Sequence, residues 1–299
     1  MSPERLDLSP VGPKVSRLAQ GWGSVVREGL SVRDATAHVH DLLDAGITTM
    51  DIAAIYGEGR AEGVLGAALA AEPGLRDRVE IITKCAIGNF GTPIYHYDSS
   101  REHIVSSAEH SLRELRTDRL DVLMLHRPDM LLDADQVAEA YTSLREAGKV
   151  LFFGVSNFNI HQFDLLSSRL AFPLVTNEIQ CSVLHLDAWR DGTLDQCQER
   201  RIHPLAWSPL GGGSLFRGDT PQAQRLRDEL ARVGAEQGGA SIDQVALAWL
   251  LKHPAGIIPI LGSLRGERLP GVVSAAALDL SREQWYRIWM ASTGETRLP

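Results

Sequence analysis

EIITKCA, residues 80–86, is a short apolar run that carries one lysine, Lys84, near its end. A run that is apolar on both faces suits a buried parallel strand better than a half-exposed hairpin. Working outward, the pattern repeats. TTMDIA (48–53) carries Asp51, and LDVLMLH (120–126) ends on His126. Further runs follow the same rule: VSRLAQ (15–20), LFFGVS (151–156), LVTNEIQ (174–180), HPLAWS (203–208) and GIIPIL (256–261). Most of the stretches between them read as helices with legible ends. Ser31 caps one that runs to Asp44-Ala45-Gly46, and Asp133-Ala134-Asp135 opens another that closes at Ala147-Gly148.

Eight strands alternating with helical stretches give a βαβα rhythm, which an open doubly wound sheet shares with a closed barrel. Two features favour closure. No early strand is followed by the glycine-rich G-x-G-x-x-G turn of an open dinucleotide-binding sheet. Polar residues also collect at the carboxyl ends of several different strands, where a barrel assembles its site. The expected fold is therefore α/β: a single (β/α)8 TIM barrel over residues 1–299, with its active site at the C-terminal ends of the strands. The loop Gly211-Gly212-Gly213-Ser214 is too short to separate domains.

Composition narrows the function. Charged residues make up 23% of the chain and the formal net charge is −8, which disfavours a nucleic-acid partner. Three cysteines (Cys85, Cys181 and Cys197) with no CxxC spacing encode neither a disulfide framework nor a zinc site. No run approaches the length of a membrane span. MSPERLDLSP carries early acids and a proline where a signal peptide has a basic start and an apolar stretch, so a cytoplasmic setting is expected.

Four polar groups lie at or just past the ends of consecutive strands: Asp51, Tyr56, Lys84 and His126. Singly, each has an ordinary structural reading: an Asp51–Lys84 ion pair, a satisfied core histidine, a loop tyrosine. Together they fit carbonyl chemistry. A phenol has an ordinary pKa of about 10, and a neighbouring lysine cation lowers it. An aspartate keeps the lysine charged, and a histidine can bind the same carbonyl oxygen. Tyr56 would protonate the developing alkoxide while a cofactor supplies hydride.

At these residues the sequence resembles the aldo-keto reductases, of a bacterial branch. The resemblance rests on MDIAAIYGEGRAEGVLGAAL (50–69), IITKCAI (81–87), DVLMLHRPD (121–129), GKVLFFGVSNF (148–158) and LAWSPLGGG (205–213), and spans nearly the whole chain in order. It implies a catalytic tetrad of Asp51, Tyr56, Lys84 and His126. It also implies a nicotinamide site: Ser156 and Asn157 on the carboxamide, and Trp207, Ser208, Pro209, Leu210 and Gly211 along the cofactor. Ser263 and Arg268 match the family's 2′-phosphate clamp, with Arg265 a further candidate, so NADPH is the implied cofactor rather than NADH.

The chain departs from the family pattern twice. Asn177-Glu178-Ile179-Gln180 stands where the family reads Asn-Gln-x-Glu, placing Glu178 at the position of the glutamine that contacts the carboxamide. A carboxylate accepts from the carboxamide NH₂ but donates to its carbonyl only when protonated, so three readings stay open: Gln180 compensates, the cofactor is held differently, or a neighbour ties up Glu178. Pro270-Gly271-Val272 replaces the usual adenine-contacting Glu-Asn, and proline is tolerated only in a helix's first turn.

Substrate contacts are expected from Trp22, exposed between Gly21 and Gly23, and from Phe90 and Tyr95 in the loop after Lys84, with His96 and Tyr97 beside them. Trp249, Trp285 and Trp289 read instead as packing stripes. The expected function is reduction of an aldehyde or ketone by an NADPH-dependent monomer. The alternative is an NADPH-binding redox-sensing module with little chemistry. A metal-dependent hydrolase built on Asp51 and His126 lacks further ligands, and Lys84 would repel the cation.

Overall fold

The apolar runs do close on themselves. This computed structural model describes residues 5–88 and 94–297. Eight strands form the barrel: β1 (Ala19–Gly21), β2 (Thr49–Asp51), β3 (Glu80–Cys85), β4 (Leu120–Leu125), β5 (Val150–Ser156), β6 (Asn177–Gln180), β7 (Leu205–Trp207) and β8 (Ile258–Leu261). Each pairs in parallel with the next, and β8 pairs with β1, so spatial order is chain order and no edge is left open.

Side chains two apart on a strand face the same way, and that period sorts the core into two. Outward positions such as Met50, Ile81, Leu123, Phe153, Ile179 and Ala206 pack against the surrounding helices. Inward positions, among them Ala19, Ile82, Val122, Met124, Leu205, Ile258 and Ile260, fill the barrel itself. The helices begin and end where their caps dictate. Helix α1 (Val32–Asp44) starts on Ser31, whose hydroxyl accepts from Asp34 N at 3.2 Å, and ends before Gly46 at φ +78°. After α2 (Ala61–Ala70) and α3 (Arg101–Glu114), helix α4 (Ala134–Glu146) starts on Asp133 and ends before Gly148 at φ +67°. Trp249 and Trp285 stack at 4.6 Å and exchange indole N–H bonds with each other's carbonyls, as a packing stripe should.

One strand differs from expectation. VSRLAQ splits: Lys14–Ser16 pairs with Arg5–Asp7 in an antiparallel hairpin, and only Ala19 and Gln20 enter the barrel. The hairpin stoppers the amino-terminal end, because Leu8 and Val15 are wholly buried against the inward cluster. No described helix is long and apolar enough to cross a membrane.

Candidate active site

At the other end of the barrel the inward positions turn polar. Two residues beyond Ile82 on β3, Lys84 points into the lumen and is fully buried. Its ammonium donates to both oxygens of Asp51, at 2.8 and 2.7 Å, and to the carbonyl of Ile52 at 3.0 Å. All three N–H bonds are thereby used. Glu178 reaches in from β6 and sets its Oε2 3.1 Å from the same nitrogen. That oxygen is an ionic neighbour without a well-aligned donor. Above the cluster, Lys84 Nζ lies 5.5 Å from the centre of the Tyr56 ring, and the Tyr56 and His126 rings meet edge to face at 5.6 Å. Asp51, Tyr56, Lys84 and His126 thus form one contiguous group.

Burial decides how these groups titrate. It pushes the Tyr56 phenol up to about 12, against the pull of Lys84 and Arg127 and with the push of Asp51 and Glu178. The lysine therefore acts in the expected direction, but desolvation outweighs it. For Lys84 itself, burial disfavours the ammonium, yet Asp51 and Glu178 more than compensate and its pKa is raised. His126 is pushed down to about 3, first by burial and then by Lys84 and Arg127, so its imidazole is neutral. Burial and then the Asp51 charge hold the Glu178 carboxyl well above the usual carboxylate range.

The strand ends beside this group carry backbone strain. Asn157, just after β5, sits at φ +61°, and Ser208, just after β7, at φ +51°. Asparagine tolerates that region well, serine less so, and such residues cluster where a site over-determines the backbone. Asn157 braces the strand tops: its Nδ2 donates to Ser156 Oγ at 2.8 Å and to the His126 carbonyl at 3.2 Å. Its Oδ1 accepts from Trp207 Nε1 at 2.9 Å, and the Arg127 guanidinium lies 5.5 Å from the Trp207 ring centre. Ser208, Pro209, Leu210 and Gly211 follow in a tight turn closed by Gly211 N donating to Ser208 O at 2.8 Å. Gly211 is at φ +63°, and a Cβ there would stand 2.5 Å from Leu184. Past β8, Ser263 is half-buried, Arg265 and Arg268 are exposed, and no described carboxylate pairs with either guanidinium. Pro270 falls in the first turn of the helix Leu269–Ala275, where proline is tolerated.

The substrate-contacting residues expected from the sequence fare differently. Trp22 is not exposed: it is fully buried, donates to Met50 Sδ at 3.3 Å and packs edge-on against His38. Its flanking glycines free the backbone, but the indole turns into the core, where its apolar area is better placed. Tyr95 is exposed and stacks edge-on against Tyr97, while Phe90 lies outside the described residues. A cleft of about 760 Å³ runs from Lys84 and His126 outward between α2 and α3. Ala54, Ile55 and Ile87 line its inner part, and Arg60, His103 and His110 its outer part. Among the described residues no group of three or more His, Cys, Asp or Glu side chains is arranged to hold a metal ion.

The profile of the Aldo/keto reductase family matches residues 16–291. This chain belongs to the aldo/keto reductase family. It is similar to oxidoreductase YdhF of Escherichia coli (strain K12), 46% identical over 294 residues that cover 97% of this chain and 98% of that protein. A 6-dehydroglucose reductase of Agrobacterium fabrum is 42% identical, covering 94% of this chain and 96% of its own. The crystal structure of the thermostable aldo-keto reductase Tm1743 with the inhibitor epalrestat superposes at a TM-score of 0.80, covering 96% of this chain and 99% of the other at 24% identity. That likeness supports the barrel fold.

For an aldo-keto reductase, an oxidoreductase of carbonyl compounds that works with a nicotinamide cofactor, two features were out of reach of the motifs. Arg127 follows the motif histidine yet stands over Trp207 and near Tyr56; its place directly after a strand-end histidine was the available signal. Glu178, at the position expected against the carboxamide, lies beside Lys84, whose ammonium offsets the cost of burying a carboxyl.

Proposed function

We propose that this protein is an NADPH-dependent reductase of aldehydes or ketones, acting as a monomeric cytoplasmic enzyme of one barrel domain with Tyr56 as its proton donor. The observation that carries the reading is the buried Lys84–Asp51 pair set beneath Tyr56 and beside a neutral His126. A phenol held at about 12 stays protonated at neutral pH. An alkoxide is a far stronger base, so the proton still transfers downhill once the carbonyl is reduced. His126, uncharged, is free to donate one hydrogen bond to the carbonyl oxygen and fix its approach. Lys84 stabilises the phenolate left behind, and Asp51 holds Lys84 charged and in place.

The residues present fit a nicotinamide nucleotide. When bound, its reduced ring supplies the hydride. Ser156 and Asn157 would hold the carboxamide, Trp207 offers a braced aromatic face, and the Ser208–Gly211 turn would follow the pyrophosphate. Two unpaired guanidiniums, Arg265 and Arg268, with the Ser263 hydroxyl would take a 2′-phosphate. The inner cleft is apolar and its outer wall polar, which suits a carbonyl compound that carries hydroxyl groups farther out. The similar 6-dehydroglucose reductase makes a sugar aldehyde of that kind the first substrate to try.

The test is loss of NADPH absorbance with a panel of aldehydes and ketones, run beside NADH. Turnover should prefer NADPH by about tenfold or more. Tyr56→Phe should lower kcat by about 10²-fold to 10⁴-fold with cofactor affinity retained. Wild-type turnover in Tyr56→Phe would refute the proposal. Tight NADPH binding with no turnover on any carbonyl would favour the redox-sensing module instead.

A further inference from the structure

Two carboxyls and one ammonium share the water-poor floor of the site. Glu178, 2% exposed, comes from β6, on the opposite wall of the barrel from Asp51 on β2. Both carboxyls converge on Lys84 Nζ, within 2.7–2.8 Å for Asp51 and 3.1 Å for Glu178. With both ionised, the trio holds a net negative charge with no water to spread it, and buried charge without a partner is expensive. One added proton makes the trio neutral.

Geometry says where that proton sits. Asp51 takes two of Lys84's three N–H bonds, so its negative charge is well satisfied. Glu178 receives no aligned donor at Oε2 yet stands at the same ammonium as Asp51, so of the two carboxyls it is the one whose negative charge is least satisfied and which gains most from a proton. The titratable groups facing Glu178 are Asp51, Lys84 and Tyr56, with neutral His126 one strand beyond Lys84.

We propose that Glu178 is a positioning residue that shares a proton with Asp51 over Lys84 and, through that proton, sets the acidity of Tyr56. While Glu178 is protonated, Lys84's remaining charge is available to a phenolate on Tyr56. When Glu178 ionises, a second negative charge beneath the ring opposes the phenolate. This inference rests on Tyr56 being the proton-transfer group proposed above. It deepens that reading by assigning a chemical role to the carboxyl at the usual glutamine position.

Two measurements test it. Infrared difference spectra of wild type against Glu178→Gln at neutral pH should show a protonated-carboxyl C=O band lost in the variant. Glu62, a fully buried acid outside the trio, hydrogen-bonded to Thr83 at 2.6 Å, is assigned separately with Glu62→Gln. The pH midpoint at which NADP⁺-dependent alcohol oxidation switches on should fall by on the order of one unit in Glu178→Gln, because the opposing charge is gone. Should no alcohol be oxidised, the function proposed above fails. Tyrosinate absorbance of wild type and Glu178→Gln, each minus its Tyr56→Phe counterpart, then reads the same midpoint without turnover. If Glu178→Gln does not fold, Glu178→Met, apolar and of similar volume, should give the same shift. Absence of the infrared band, or superimposable midpoints, overturns the proposal.

Discussion

The two halves of the barrel lumen are built from the same strands and obey opposite rules. At the amino-terminal end, Ala19, Ile82, Val122, Leu205 and Ile258 meet Leu8 and Val15 of the hairpin in an apolar contact, flanked by hydrogen bonds from Ser16 to Thr49. Two residues farther along β3, Ile82 gives way to Lys84, with Asp51 on the neighbouring strand and Glu178 across the lumen. Strand alternation supplies inward positions without regard to their chemistry. The lower layer stabilises the fold by removing apolar area from water. The upper layer adds little net stability, because the desolvation of its charges offsets their attraction. Its arrangement is maintained for what it does to Tyr56 and His126, and the two layers should therefore fail in different ways.

The upper layer should fail hardest. Lys84→Met removes the one cation that, among the described residues, touches both carboxyls, and should lower carbonyl reduction by about 10³-fold. It should also cost about 3–5 kcal/mol at neutral pH, since the buried Asp51 charge is left without its counter-charge. The sign of the pH dependence is specific. Without Lys84 nothing offsets the burial of negative charge at this site, so stability is retained at low pH, where the carboxyls are neutral, and lost as pH rises. Urea unfolding at about pH 5 and about pH 8 should show the larger deficit at the higher pH. An equal deficit at both would mean the lysine matters for packing alone.

The lower layer should fail quietly. Ile82 is wholly buried in the apolar cluster, and Ile82→Ala should cost about 3 kcal/mol through lost burial and a residual cavity. Ile82 pairs with Asp51 through the strand backbone, which the substitution leaves in place, so kcat and KM should stay within about twofold of wild type below the melting transition. A large fall in kcat in this variant would show that the two layers are mechanically coupled.

The same contrast explains what was readable in the sequence. Most barrel strands announce themselves, since a strand buried on both faces is largely apolar, as in EIITKCA or LDVLMLH, whereas VSRLAQ meets its barrel strand only at Ala19 and Gln20. The polar upper layer is legible for the complementary reason: Asp51, Lys84 and His126 interrupt those runs at strand ends, where only a paired or working charge survives burial. The hairpin was not legible, because three-residue strands such as Arg5–Asp7 are too short to display a period. Trp22 misled because Gly-Trp-Gly reports backbone freedom but not the direction of the indole. Glu178 was found as an oddity, but its place beside Lys84 was not legible. Its true partners lie on strands more than 90 residues earlier, and only barrel closure brings β6 opposite β2.

The smallest expected effect concerns His126, which belongs to the upper layer yet carries no charge. Its pKa falls from 6.5 to about 3 because burial, Lys84 and Arg127 all disfavour the imidazolium. Between those values the unfolded chain binds a proton that the folded protein refuses. Stability contributed by this residue is therefore complete above about pH 6.5 and is lost as pH falls toward 3, at a limiting slope of about 1.4 kcal/mol per pH unit. His38 and His253 are lowered by burial as well, so the acid limb of the stability curve sums several such groups. His126→Gln removes one of them. Its acid limb, followed by urea midpoints from about pH 6.5 downward, should be shallower than wild type by up to one proton, although the variant is the less active reductase. A limb of unchanged slope would mean that His126 is protonated in the folded protein. Its part in orienting a carbonyl would then be that of a cation, and the assignment of a neutral donor beside Tyr56 would have to be abandoned.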